Sequence, residues 1–332
     1  MDHKLLLREI KNKKLEKVYF LHGEEAYFID VLTKAIQENA LAESERDFNQ
    51  TIVYGKDADL LLLLGEIKSF PMMAEKRLVI LKEAQEFKAL EKLESYLENP
   101  IDTTILVICY KYKFFDARKK ILKVALKNGS VFKSEKVKEY QLAEWIQQYV
   151  KSIGYDITSK ACMLVVESLG NDLGRIVKEF EKLSILIDKG TTINENHIEE
   201  NIGISKEYNV FELTNAIASK DNLKAMKIVQ YFEYNPKAAD LVFVISNLFK
   251  FFSQIMRIHF LPNKSREAVA QALGVHPFVA GELTNAKNKY DARKIAINIA
   301  LIQAYDLKSK GLGNTSASQG ELMRELVYQL IH

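Results

Sequence analysis

The sequence predicts an α/β domain followed by all-α domains, because two different patterns divide its 332 residues. In the first 140 residues, short apolar runs rich in valine, isoleucine and aromatic residues alternate with longer helical patterns. This alternation is typical of a mostly parallel sheet that is covered on both faces. Beyond about residue 140 the strand-like runs stop, and only helical patterns continue.

Five segments have the length and composition of buried strands. They are residues 17–23, 50–55, 77–84, 103–110 and 130–137. Helical patterns lie between them, at residues 24–42, 57–69, 86–98 and 116–128. Asp57 and Asp116 are suitable N-caps for the second and fourth of these helices, and Gly129 follows the last one as a C-terminal glycine would.

The remainder of the chain is predicted to be helical. Residues 140–154, 159–170, 171–187 and 194–201 form a first group of helices, and residues 209–220, 222–233, 236–260, 265–273, 277–289, 291–309 and 317–331 form a second. Pro236 and Asp291 are suitable helix starts. We therefore expect three domains, at residues 1–140, 141–207 and 208–332.

The composition is that of an ordinary globular protein, with 48% hydrophobic residues and a formal net charge of +3. Such a charge excludes a wholly basic nucleic-acid-binding protein but allows a local basic patch. Neither the two cysteines, Cys109 and Cys162, nor the six histidines have the spacing of a metal site. We identify no signal peptide and no run of about 18 uncharged apolar residues. We therefore expect a cytoplasmic protein with no metal, no cofactor and no membrane partner.

The segment at residues 19–30 begins as a phosphate-binding loop begins, because an apolar strand reaches Gly23 and a helical pattern follows. A P-loop then requires a second glycine, a lysine and a serine or threonine. Those three positions hold Phe28, Ile29 and Asp30. Glu24 and Glu25 also place two negative charges at the start of the helix, where a phosphate would bind.

The third predicted strand has a similar departure from a nucleotide site. A Walker B strand ends in an aspartate that organises Mg²⁺, but Lys82 occupies that position here. An ammonium group repels the ion, so we expect a decayed nucleotide-binding fold that does not hydrolyse ATP. Two alternatives remain open, namely a third strand that never resembled a Walker B element and an active ATPase with a cryptic site. No G-x-S-x-G or H-E-x-x-H motif is present, so no catalytic residue is predicted.

Several segments together resemble the delta subunit family of the bacterial DNA polymerase III clamp loader. They are VYFLHGEEAYFID, SFPMMAEKRLVILKEA, FDARKKILKVALKNG, GNDLGRIVKEFEKL, VFELTNAIASKD, ALGVHPF and ELMRELVYQL, in this order. The resemblance implies an AAA+-like parallel-sheet domain with a degenerate nucleotide site, a small helical lid domain and a C-terminal helical collar domain. It also implies no active site of the chain's own, within a DNA-directed DNA polymerase complex.

The same resemblance implies a task and partners. The family binds the ring-shaped sliding clamp (the beta subunit), holds the ring open and helps to load it onto primer–template DNA, together with the tau/gamma and delta-prime subunits. The family's clamp contact falls on Met72 and Met73, with Phe70 and Pro71 directly before them. The aromatic member common in that pair is absent unless Phe70 takes its role. Alternatively, Met72 and Met73 plug the base of the α/β core.

Residues 111–129 are strongly basic, with seven lysines and arginines against one acidic residue. On a helix, the apolar residues Ile121, Leu122, Ala125 and Leu126 are expected to face inward, and the basic residues Arg118, Lys119, Lys123 and Lys127 to face outward. Contact with DNA phosphates is one interpretation of this pattern, and a solvated basic face is the other.

Residues 266–289 imitate a helix-turn-helix, with Ala270 and Gly274 at suitable spacing. The would-be recognition helix opens with Pro277, Phe278, Val279 and Ala280. None of these side chains can make the bidentate hydrogen bonds that distinguish base pairs. We therefore favour packing within a helical domain as the role of residues 266–289. A helix-turn-helix DNA-binding regulator remains the alternative function of the protein.

Overall fold

The computed structural model describes residues 3–203, 205, 207–314 and 316–332. The chain divides into two compact units, with the boundary between Val137 and Lys138. The first unit contains a parallel sheet with its helices, and the second is almost entirely helical.

The first unit is built on a five-stranded, fully parallel sheet. Its strands are β1 (Val18–Gly23), β2 (Gln50–Tyr54), β3 (Arg77–Lys82), β4 (Thr104–Lys111) and β5 (Ser130–Ser134), in the spatial order β2-β3-β4-β1-β5. All five predicted strands are confirmed. Every residue of β1 is buried, as are the central residues of β3 and β4, which explains why these strands have continuous apolar sequences.

Among the described residues of this unit, six α-helices accompany the sheet: α1 (His3–Lys11), α2 (Ala26–Ala40), α3 (Arg46–Asn49), α4 (Leu60–Lys68), α5 (Glu94–Leu97) and α6 (Lys120–Asn128). Helix α1 is not predicted from the sequence, because only Leu6 and Ile10 are buried among its charged residues. The helix predicted at residues 86–98 is wrong in type. That segment forms 3-10 turns at Ala84–Glu86 and Leu90–Leu93 before the single turn of α5.

Two predicted N-caps in this unit are also wrong. The carboxylate of Asp59, not that of Asp57, caps α4, and it accepts the N–H groups of Leu61 and Leu62. Helix α6 begins at Lys120 with Lys119 at its N-cap position, and the Asp116 carboxylate accepts the Arg118 N–H in the preceding turn.

Two residues near the end of α6 also differ from expectation. Leu126 is predicted to face inward but is 64% exposed. Gly129 follows the helix as predicted, but it has an extended backbone rather than a left-handed one. A side chain there is excluded by packing, because a Cβ atom would lie 2.2 Å from the Val18 carbonyl oxygen.

The second unit contains eleven α-helices within its described residues. They are α7 (Glu139–Ser152), α8 (Ser159–Leu169), α9 (Leu173–Leu186), α10 (Glu195–Ile202), α11 (Val210–Ser219), α12 (Asn222–Tyr234), α13 (Leu241–His259), α14 (Arg266–Leu273), α15 (Pro277–Lys287), α16 (Ala292–Ser309) and α17 (Gln319–Ile331). The expectation that no strand follows residue 140 is wrong. The two-residue strands β6 (Asp156–Ile157) and β7 (Thr192–Ile193) pair in parallel, and they are too short to leave a pattern in the sequence.

Helix α13 forms the centre of the larger helical core. It begins at Leu241 rather than near Pro236, because the Asp240 carboxylate caps it by accepting the Phe243 N–H at 2.7 Å. By length and composition alone this helix could span a membrane. Eight of its residues are instead buried in the hydrophobic core of the second unit. The helix start at Asp291 is confirmed, since its carboxylate caps α16.

Candidate functional site

The position of a phosphate-binding loop is occupied by a tight turn. Strand β1 ends at Gly23 and α2 begins at Ala26, so only Glu24 and Glu25 lie between them. The Glu25 side chain caps α2 by accepting the Tyr27 N–H at 3.1 Å. A carboxylate of the chain itself therefore occupies the helix N-terminus, where an anionic ligand would otherwise bind.

Gly23 is required for close packing against strand β5. Its φ is +142°, and a Cβ atom would lie 1.9 Å from the Ser134 carbonyl oxygen. The same carbonyl accepts the Glu24 N–H at 2.9 Å, and the Ser134 hydroxyl donates to the Glu25 carbonyl at 2.6 Å. Gly23 resembles the first glycine of a P-loop, but here it allows the end of β1 to pack closely against β5 directly before α2.

The other positions that correspond to phosphate and Mg²⁺ ligands in a nucleotide site make internal contacts here. Phe28 and Ile29 are buried in the core. Asp30 pairs with the Lys111 ammonium at 2.5 Å. The Lys82 ammonium lies 5.9 Å from the centre of the Tyr54 ring, a cation–π contact. These side chains are committed to the protein's own packing and charge pairing, and they are not arranged to hold a phosphate or Mg²⁺.

A buried histidine lies next to this edge of the sheet. The Nδ1 atom of His22 accepts the Phe115 N–H at 3.1 Å. Burial, with a smaller contribution from the charge of Lys133, lowers the pKa of His22 to about 4. The imidazole is therefore neutral at physiological pH and serves as a structural acceptor. Among the described residues, no group of three His, Cys, Asp or Glu side chains is placed to hold a metal ion.

A different loop presents apolar side chains to solvent. Residues 69–76, which we call the methionine loop, connect α4 to β3. Phe70, Met72 and Met73 are 80%, 59% and 102% exposed, and Pro71 is half-buried. The alternative that Met72 and Met73 plug the core is therefore wrong. The hydrophobic core of this unit instead contains Leu63 and Ile67 of α4 and Val79 of β3, and neither methionine belongs to it.

The methionine loop is fastened at its centre by a buried amide. The Asn49 side chain accepts the Met72 N–H at 2.7 Å and donates to the Met72 carbonyl at 2.9 Å. Its Nδ2 also donates to the Glu45 carbonyl at 3.1 Å. The next residue, Met73, has a φ of +52°, in the left-handed region that non-glycine residues seldom adopt.

A second polar group supports the elements on either side of the loop. The Arg77 guanidinium pairs with Glu66 on α4 and donates to the Thr51 hydroxyl at 3.2 Å. This ion pair and the hydrogen bond from Thr51 lower the pKa of Glu66. Neither Asn49 nor Arg77 belongs to a recognisable motif, so sequence reasoning missed both residues as supports of the methionine loop.

In the fold, acidic side chains neutralise part of the positive charge of the basic segment, residues 111–129. Lys119 pairs with Glu91 at 3.0 Å, and Lys120 pairs with Glu94 and Glu98, both at 2.8 Å. Arg118 is exposed and pairs with Asp116. Among the residues that the structure describes, Lys123 and Lys127 have no acidic partner, and both are exposed. Two of the four predicted phosphate-binding residues therefore carry an uncompensated charge.

The helix-turn-helix candidate forms two helices, α14 and α15, joined by a short turn at Gly274. Ala280 is fully buried, and Val279 packs against the core of the second unit. The Pro277 carbonyl accepts the Arg266 Nε–H at 2.6 Å. The residues that would have to read base edges are thus apolar and partly engaged in packing within their own unit.

Comparisons with known proteins identify one family over both units. The family model for the DNA polymerase III delta subunit matches residues 19–135, and the model for the C-terminal domain of that subunit matches residues 207–325. The chain is 23% identical to the DNA polymerase III subunit delta of Bacillus subtilis, covering 96% of this chain and 94% of the relative. A probable delta subunit of Aquifex aeolicus is 22% identical, over 64% of this chain and 63% of its own length.

A solved structure has the same fold. The DNA clamp loader delta protein of Bacillus subtilis matches with a TM-score of 0.56 and 20% sequence identity, and the match covers 99% of each chain. The predicted fold class is confirmed as a parallel-sheet α/β part followed by a helical part.

Proposed function

The chain belongs to the DNA polymerase III delta subunit family, and on that basis we propose that it binds the sliding clamp, holds its ring open and helps to load it onto primed DNA. It is a non-catalytic clamp-loader component within a DNA-directed DNA polymerase complex. Its proposed partners are the clamp, the tau/gamma and delta-prime subunits, and primer–template DNA, and its proposed location is the cytoplasm.

The observation that carries the clamp-binding proposal is the exposure of Met72 and Met73 on a fastened loop. Methionine side chains are flexible and polarisable, so they can fill a pocket of irregular shape on a partner. Burying one of them contributes roughly 1.5–3 kcal/mol. Phe70, which is also exposed, supplies an aromatic ring two residues before the pair.

The emptied nucleotide site supports a positioning role rather than an enzymatic one. The Glu25 cap, the Gly23 packing and the Asp30–Lys111 ion pair use the positions that a nucleotide would need. We propose that the AAA+-like fold serves here as a rigid support for the methionine loop. The proposal that the chain holds the clamp ring open rests on its family.

We also propose the three-domain division, with the AAA+-like domain at residues 1–140, the lid at 141–207 and the collar at 208–332. Contact of α6 with DNA phosphates remains a second part of the proposal. It now rests on Lys123 and Lys127, since Arg118 and Lys119 have acidic partners. Such contacts would supply affinity without sequence preference.

The test is a titration of the purified chain with the sliding clamp from the same organism. The double substitution Met72→Ser and Met73→Ser should weaken binding on the order of a hundredfold, because two buried anchors of an interface are lost. Both side chains lie in solvent in the free chain, so the melting temperature should change little.

A matched control is Leu126→Ser, which removes an exposed apolar side chain from α6. It should leave clamp affinity unchanged. A double methionine variant that binds the clamp as tightly as the wild type would remove Met72 and Met73 from the interface, and Phe70 of the same loop would then be the first residue to test.

A further inference from the structure

We infer that Asn49 is a positioning residue that holds the methionine loop in the conformation presenting Met72 and Met73. The inference rests on the clamp-binding role proposed above and assigns that site a residue that does not itself contact the clamp. Asn49 is 1% exposed, so its side chain cannot be part of the interface surface. Its effect on clamp binding would have to pass through the loop.

The geometry of Asn49 matches the backbone of one loop residue at two points. Its Oδ1 accepts the Met72 N–H at 2.7 Å, and its Nδ2 donates to the Met72 carbonyl at 2.9 Å. The second Nδ2 hydrogen is used by the Glu45 carbonyl at 3.1 Å. Both donors of this amide are therefore satisfied, and two of its three hydrogen bonds reach across 23 positions of sequence to Met72.

The other fastenings of the loop lie at its two ends. Ser69 is bonded to α4 through its hydroxyl, which donates to the Gly65 carbonyl at 2.8 Å, and Lys76 donates to the Asp102 carbonyl at 2.6 Å. Between these ends, among the residues that the structure describes, only Asn49 makes hydrogen bonds with the backbone of residues 70–75. Its removal would free the segment that contains all the candidate clamp anchors.

The conformation held by Asn49 is one that the loop would otherwise avoid. Met73 has a left-handed backbone and a fully exposed apolar side chain, and both features are unfavourable in an isolated chain. Backbone strain of this kind persists only where surrounding structure enforces it. When the binding-competent form is only fractionally populated, the apparent affinity falls by that fraction. A loop that is competent about a tenth of the time would bind about tenfold more weakly.

The first test compares Asn49→Ala with the wild type in clamp titration and in hydrogen exchange. We expect about a tenfold loss of clamp affinity and faster exchange of the Met72 amide. The matched control is Asn128→Ala. Asn128 makes a similar side-chain contact elsewhere in the unit, donating to the Leu97 carbonyl at 2.8 Å, so its loss should lower stability without changing clamp affinity.

The second test uses Asn49→Asp, which separates positioning from a general packing role. As a carboxylate, the new side chain faces the carbonyls of Met72 and Glu45 and repels both. As a carboxylic acid, it can again donate to the Met72 carbonyl and accept the Met72 N–H, as the native amide does. Burial and the facing carbonyls favour the protonated form. Lowering the pH should therefore restore the affinity of Asn49→Asp relative to the wild type, and it should not restore that of Asn49→Ala.

The charged groups on the elements around Asn49 would also influence this titration. They include Glu45 directly before α3, Arg46 and Asp47 on α3, Glu66 and Lys68 on α4, Glu75 and Lys76 in the loop and Arg77 on β3. All are common to the wild type and both variants, so the ratio of affinities at each pH cancels their direct effect on the clamp.

The outcomes distinguish the inference from the proposed function. A wild-type chain that does not bind the clamp would overturn the proposed function, and the inference with it. A clamp-binding wild type with Asn49→Ala equally tight, or with unchanged Met72 exchange, would overturn the inference alone. A pH-dependent rescue of Asn49→Asp, with faster exchange in Asn49→Ala, would support it.

Discussion

The two edges of the parallel sheet have opposite characters. At the carboxyl edge, where β1 ends at Gly23 and β4 ends at Lys111, polar groups are paired with other groups of the chain. At the amino edge, where β3 begins at Arg77, the methionine loop leaves three large apolar side chains in solvent. Open α/β sheets usually bind their ligands at the carboxyl edge. In this chain internal contacts occupy the carboxyl edge, and the amino edge is the one that exposes large apolar side chains.

The difference predicts which property of the protein a substitution at each edge should change. Contacts at the carboxyl edge satisfy buried polar groups, so substitutions there should change stability. Contacts at the amino edge hold apolar groups away from the core, so substitutions there should change binding. The following predictions test this division, beginning with the largest expected effect.

Gly23→Ala should be the most damaging substitution at the carboxyl edge. The added Cβ would lie 1.9 Å from the Ser134 carbonyl oxygen, at a φ of +142°. We expect a loss of roughly 3 kcal/mol or more in the free energy of unfolding, measured by chemical denaturation. Gly65→Ala is the control, because a Cβ atom on this glycine of α4 would have no neighbouring atom within 4 Å. It should be neutral or stabilise by up to about 1 kcal/mol.

Stability should also fall in acid because of His22. Its pKa is about 4 in the folded chain against 6.5 for an unperturbed histidine, so the unfolded state takes up the proton first. The contribution is complete above the unfolded pKa and is lost as the pH falls from there toward the folded pKa. Between about pH 7 and about pH 5 this amounts to about 2 kcal/mol.

The control for this pH dependence is His22→Asn. The new amide oxygen can still accept the Phe115 N–H, but the side chain does not titrate in this range. Denaturation of both proteins across the pH range should give a flatter profile for the variant. Equal slopes would mean that other groups cause the acid sensitivity.

Substitutions of basic residues in helix α6 should have a smaller effect, and that effect should depend on the salt concentration. Replacing both Lys123 and Lys127 with glutamine should reduce the salt dependence of primed-DNA loading by about two units of slope if each contacts a phosphate. Replacing Lys119 and Lys120 instead should change the slope less, because Glu91, Glu94 and Glu98 already compensate those two charges. Equal effects of the two double variants, measured in the assembled loader, would contradict the assignment.

The smallest effect is expected when Mg-ATP is added to the protein. With Glu25 at the helix N-terminus and Lys82 at the end of β3, we expect titration calorimetry with Mg-ATP to give no heat of binding and no hydrolysis. Micromolar binding that is lost when residues 23–30 are substituted would reopen the carboxyl edge as a ligand site.

Much of the fold could be predicted because its signals are local. Strands β1, β3 and β4 contain continuous apolar runs, and Asp291 is a cap that acts within one helical turn. The prediction for residues 86–98 failed because the buried Phe87, Leu90 and Leu93 recur every three residues, a spacing that suits the 3-10 turns observed.

Only part of the candidate site could be predicted, because the residues that support the methionine loop are distant from it in the sequence. The family resemblance located Met72 and Met73, but neither their exposure nor the hydrogen bonds from Asn49 have a local pattern. The charge of the basic segment was overestimated for the same reason. Glu91 is 28 positions from Lys119, and only the fold brings the two side chains together.

The exposed methionines also make the methionine loop sensitive to oxidants. Thioether sulfur is oxidised to a sulfoxide, which turns a flexible apolar side chain into a polar one. Met163 and Met323 are buried, whereas Met72 and Met73 lie open to peroxide. Mild oxidation should therefore convert this pair first and weaken clamp binding, and methionine sulfoxide reductase should restore it. Mass spectrometry of treated protein, alongside clamp titration, would reveal whether loading of the replication clamp responds to the redox state of the cell through these two side chains.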